Sequence, residues 1–149
     1  MVRRFSLAAA CKLALPAALL AAAPLRAQAA DSAATTTLGK VYTDVQAAKG
    51  KDAFGLTCLS CHKPSELSGQ KFWAGMVGKT VSDFFTYVRG NMPQDNPGSL
   101  SDDDYANVTA YILQLNGMPA GERPLPGDST ALAKIRIVPT DTAKKGPTR

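Results

Sequence analysis

The chain has 149 residues, with 17 basic and 12 acidic side chains, for a formal charge of +5 and a pI near 9.2. Arg3, Arg4, Lys12 and Arg26 all lie in the first 29 residues, which hold no acid, so the remaining 120 residues carry a net charge of only +1. That balance argues against a polybasic nucleic-acid surface. Three cysteines and one histidine are too few for a disulfide-dense scaffold or a four-ligand zinc site.

Residues 1–29 read as a secretory signal peptide. Arg3 and Arg4 form the positive start, and Leu13 to Ala23 is apolar apart from Pro16. Ala27-Gln28-Ala29 is a small-x-small cleavage site, and cleavage after Ala30 fits nearly as well. A membrane anchor is the competing reading. The apolar run falls short of the roughly 20 residues a spanning helix needs. Cys11 belongs to the discarded peptide. The mature chain is expected to be exported, soluble and periplasmic, with two cysteines in an oxidising compartment.

Residues 30–40 are small, polar and aperiodic, and are expected to form a flexible lead-in. A folded domain over 41–121 follows. Its first helix is predicted from about Asp44 to Thr57, capped by Thr43 or Asp44. Ala47, Gly50 and Phe54 share one face. A glycine inside a helix costs about 1 kcal/mol relative to alanine. Gly50 therefore marks a close approach to another helix.

A second helix is predicted from Val81 to Arg89. Thr80 and Asp83 resemble a capping box, and Gly90 stands where a C-cap is expected. Pro93, Pro97 and Gly98 make Asn91–Leu100 a loop. The third helix is the clearest. Ser101 caps it, three aspartates follow at the positive end of its dipole, and Tyr105, Val108, Ile112 and Leu115 form its apolar stripe. Asn116-Gly117 ends it. No convincing strand is read anywhere. Residues 122–149 form a C-terminal extension and tail. Within it, Thr130–Ile137 reads as a short helix or an apolar strap.

The segment Cys58-Leu59-Ser60-Cys61-His62 carries the strongest chemical signal. It fits covalent attachment of a c-type haem. Residues three apart lie on one side of a helical turn. Two thiols can thus reach the two vinyl groups of one porphyrin, and His62 can offer its imidazole to the iron. A zinc site lacks further ligands, and a thioredoxin-like pair lacks its βαβ context. A plain disulfide leaves the adjacent histidine, the only one in the chain, unexplained.

A sixth iron ligand cannot be a second histidine. Met92 is favoured, because it lies in a stiff Met-Pro loop between the second and third helices. Met118 also precedes a proline and competes, although methionine fills core gaps well. Met76, between Gly75 and Gly78, reads as pocket wall, and an open site is the remaining option.

With Gly50 and Phe54 before the haem motif, Met92-Pro93 after it, and Tyr111 in the last helix, the chain resembles the class I monohaem cytochromes c of bacterial periplasmic type. The resemblance covers about 41–121. It implies an all-α fold, a small cytochrome c fold with three main helices around one covalently bound haem. It implies haem c held by Cys58 and Cys61, with His62 and Met92 as metal ligands and no catalytic residues. The implied role is one-electron transfer rather than enzymatic turnover. Expected partners are redox proteins, with a dehydrogenase as donor and an oxidase or other cytochrome as acceptor. A loose likeness of the C-terminal extension to cytochromes that work beside quinoprotein dehydrogenases points the same way. Lys63, Lys71 and Lys79 could frame an exposed haem edge and steer an acidic partner. The alternative is a haem enzyme or ligand sensor with an open or labile sixth position.

Overall fold

The three helices expected from capping and apolar spacing all form, and the computed structural model describes them within residues 35–140. The expected signal peptide and its cleavage site, Cys11 and the tail from residue 141 lie outside the described residues. The described part is all-α apart from one minimal strand pair. Helices α1 (Asp44–Thr57), α2 (Gln70–Met76), α3 (Val81–Asn91), α4 (Asp102–Leu115) and α5 (Ser129–Leu132) follow one another between strands β1 (Thr35–Thr36) and β2 (Ile135–Arg136).

Each of the main helices begins on a side-chain cap. Thr43, Thr80 and Ser101 accept hydrogen bonds from the N–H groups of Gln46, Asp83 and Asp104. These bonds satisfy backbone donors that a helix start leaves unpaired. Asp83 completes the box on α3 by accepting from the Thr80 N–H at 2.7 Å. That backbone hydrogen bond, helped by the Thr80 hydroxyl, holds the Asp83 carboxyl below its usual range. The C-terminal end of α3 differs from expectation. Gly90 lies inside the helix, which runs through Asn91, and Met92 is the C-cap. A Cβ at Gly90 would meet nothing within 4 Å, so no packing demand fixes the glycine there.

Helices α1 and α4 make the most extensive helix pair. Gly50 is the point of closest approach. A Cβ built there would lie 1.8 Å from the Asn107 carbonyl oxygen. One turn further on, the rings of Phe54 and Tyr111 meet at 5.5 Å between centroids, tilted by 56°. Around this crossing Ala47, Ala106, Ala110, Ile112 and Leu113 are fully buried.

Helix α2 was not foreseen. It has seven residues and follows Gly69, its N-cap, whose φ is +63°. Its support is tertiary. Phe72 is buried and packs edge-on against Phe84 of α3 at 6.0 Å.

The ends of the described chain also depart from the sequence reading. The last part of the lead-in is not free, since Thr35–Thr36 pairs in parallel with Ile135–Arg136. Thr37 is buried, and its Oγ1 accepts from the Val138 N–H at 3.2 Å. Leu125, Leu132, Ile135 and Ile137 join the same core cluster as α1 and α4. The folded unit therefore extends past both 41 and 121. The segment 130–137 is both a short helix and a strap. Ile137 bonds back to the chain between α2 and α3, donating to the Lys79 carbonyl at 2.8 Å and accepting from the Gly78 N–H at 3.0 Å. Gln46 anchors the extension to α1, donating to the Leu125 carbonyl at 2.8 Å and accepting from its N–H at 2.7 Å.

Candidate functional site

The Cys58–His62 motif forms a tight turn at the C-terminal end of α1. Cys58 is the C-cap, and its N–H donates to the Phe54 carbonyl. Its own carbonyl accepts from the N–H groups of Cys61 at 3.1 Å and His62 at 2.9 Å. One oxygen thus gathers the two cysteines and the histidine into a single turn. Neither thiol is in a disulfide. Cys58 is half-buried against the core, and burial pushes its thiol up. Cys61 is exposed. The His62 side chain is 37% exposed.

The chain leaving this turn is tied to the far end of α4. Asn116 is buried. Its Nδ2 donates to the Leu67 carbonyl at 3.0 Å and to the Ile112 carbonyl at 2.8 Å, and its Oδ1 accepts from the Gly69 N–H at 3.0 Å. A buried amide with both ends satisfied locks a loop where apolar contact alone would not. The sequence marked Asn116 only as a helix end.

Met92 is half-buried at the end of α3. Its N–H donates to the Val88 carbonyl at 2.8 Å. Its carbonyl accepts from the hydroxyl of the buried Tyr105 at 2.6 Å. Both main-chain groups of Met92 are therefore held by neighbouring helices. Met118 is different. It is only 3% exposed and belongs to the core cluster, and its carbonyl accepts from the Tyr42 hydroxyl. Burial, followed by the Asp44 charge, pushes that Tyr42 hydroxyl up to about 12. Met76 is half-buried and packs against the core.

The aromatic residues of α2 and α3 divide by position. Phe72, Phe84 and Phe85 are buried, Trp73 is half-buried against the core, and Tyr87 is 59% exposed. Tyr87 is therefore not a core residue. Lys63, Lys71 and Lys79 are all exposed. Among the described residues, no helix is long and apolar enough to cross a membrane.

The family model described as cytochrome c oxidase, cbb3-type, subunit III, a c-type cytochrome domain, matches residues 45–112. The match spans α1 through most of α4 and includes Cys58, Cys61, His62 and Met92. No curated protein and no solved structure gives a significant match.

Proposed function

Because residues 45–112 form a monohaem c-type cytochrome domain that carries haem c, we propose that this chain is a periplasmic one-electron carrier with His/Met-ligated iron. The observation that carries the reading is the turn in which the Cys58 carbonyl gathers Cys61 and His62, with both thiols unpaired. That donor set suits haem c. Two free thiols three residues apart match the two vinyl carbons, and the adjacent imidazole is a good iron ligand. When bound, the haem supplies a one-electron couple between ferrous and ferric iron.

The residues of the chain do the rest. Cys58 and Cys61 would hold the group covalently, so that it is not lost between partners. His62 would offer a nitrogen to the iron. Met92 would offer a thioether, a donor that favours the ferrous state and raises the potential. With both donors supplied by the protein, the iron would have no position left for a substrate. The buried aromatic side chains of α2 and α3 provide an apolar wall. The exposed Lys63, Lys71 and Lys79 suit brief contact with acidic redox partners. A dehydrogenase is the proposed donor, and an oxidase or another cytochrome the acceptor. Encounters of this type typically bury less than about 1,200 Å².

The direct test is haem retention in a denaturing gel of the exported protein. Haem should stay with the polypeptide and be absent from the Cys58→Ser, Cys61→Ser double variant. Complete removal of haem by acid-organic extraction would refute covalent attachment. Mass spectrometry of the same sample should show a chain beginning at Ala30 or Asp31, and a retained Met1 would refute the soluble periplasmic carrier.

A further inference from the structure

Glu66 closes the short 3-10 turn Pro64–Glu66 that follows the haem motif. Its Oε2 accepts a hydrogen bond from the Lys63 N–H at 3.1 Å. The same Oε2 lies 3.9 Å from His62 Nδ1. One oxygen is therefore anchored by the backbone beside the ring. Pro64, with its φ fixed by the pyrrolidine ring, stiffens the turn that presents it. Among the described residues, neither lysine nor arginine pairs with this carboxylate.

The 3.9 Å separation is longer than a hydrogen bond, so the interaction is one of charge. The two side chains are 37% and 44% exposed, which screens the charge without removing it. The two ring nitrogens of a histidine are distinct, and the partner of one decides what the other does. Nδ1 lies on the Glu66 side, which leaves Nε2 for the iron. Ligating histidines commonly direct their second N–H toward a carboxylate, a carbonyl or water, and this raises ligand basicity.

We propose that Glu66, held beside the His62 ring, lowers the reduction potential of the haem through its negative charge. The inference rests on His62 being the axial ligand, as proposed above. Ferric iron carries one more positive charge than ferrous iron. A nearby anion therefore favours the ferric form, opposing the effect of the Met92 thioether.

Glu66→Gln in the holoprotein separates charge from shape. Glutamine keeps a side-chain oxygen that can accept from the Lys63 N–H, and it loses the charge. The expected result is unchanged haem content and an unchanged visible spectrum, with a higher reduction potential at low salt. The increase should shrink as salt is added. Glu66→Ala, which loses the anchor as well, should raise the potential at least as far. An unchanged or lower potential in Glu66→Gln, with His62 ligation intact, overturns this inference alone. A His62→Ala variant whose axial spectrum equals that of the parent overturns the ligation reading and this inference with it.

Discussion

The Tyr105 hydroxyl donates to the Met92 carbonyl at 2.6 Å, so a buried side chain of α4 fixes the residue that ends α3. The bond joins α4 to the proposed axial ligand. Tyr105→Phe keeps the ring, including its edge contact with Phe85 at 6.4 Å, and removes only the hydroxyl. A typical hydrogen bond contributes about 0.5–1.5 kcal/mol. We expect a loss of about that size in a denaturant titration of the holoprotein. We also expect Met92 to be more readily displaced by imidazole, which an optical titration would report. Unchanged stability and unchanged displacement would refute a role for this bond.

Gly50→Ala should be the most damaging single-methyl addition on α1. The new Cβ would sit 1.8 Å from the Asn107 carbonyl oxygen, a backbone atom that cannot rotate away. Helices α1 and α4 would have to separate. Overpacking of this kind costs about 1–3 kcal/mol, and occasionally more. At Gly90 the same substitution meets no atom within 4 Å. In that helix interior alanine should stabilise by about 0.5–1 kcal/mol. Denaturation midpoints of the two variants should therefore shift in opposite directions.

The sequence made visible what is decided within a few residues. The caps at Thr43, Thr80 and Ser101, the apolar faces of α1 and α4, and the haem turn are all local patterns. Gly50 was legible because a glycine within an apolar helix face has little other use. Helix α2 was hidden because Gly75 inside it and Gly69 before it weaken the local signal and Phe72 depends on Phe84 of another helix. Strands β1 and β2 are two residues each, and their pairing joins segments about a hundred residues apart. No periodicity exists at that length. Gln46 gives no signal of its own in the sequence, and its role appears only when the Leu125 backbone arrives beside it. Glu66 was missed for a similar reason, since an exposed acid after a motif has meaning only through its distance to His62.

Asp83 gives α3 an acid-sensitive start. Its carboxyl is held below the usual range, first by the Thr80 backbone hydrogen bond. A group whose folded pKa is depressed stabilises the protein above its unfolded pKa, and the contribution disappears as pH falls through the folded value. Asp83→Asn removes that titration. The parent should be more stable than the variant at neutral pH. The difference should shrink as the pH falls below the ordinary carboxylate range near 3.9. Parallel thermal melts across that window would reveal it. A stability difference independent of pH would show that the cap works through shape alone.

Met92 and Met118 both precede proline, and replacing each by alanine distinguishes their roles. Met118 is 3% exposed within the core cluster. Truncating a buried methionine to alanine costs about 2–5 kcal/mol. Met118→Ala should therefore lower stability strongly and leave the iron coordination as it was. Met92 is half-buried, lies outside that cluster, and has its backbone held at both ends, which leaves the thioether as its distinctive chemistry. Met92→Ala should abolish the weak near-infrared sulfur-to-iron band of the ferric protein. Its reduction potential should fall, because loss of the thioether removes the preference for ferrous iron. The vacated position should also admit carbon monoxide rapidly in the ferrous state, whereas the parent should bind it slowly or incompletely. Loss of the band in Met118→Ala with its retention in Met92→Ala would assign the ligand to Met118. Rapid, stoichiometric carbon monoxide binding by the parent itself would move the protein from electron carrier to ligand-binding haem protein.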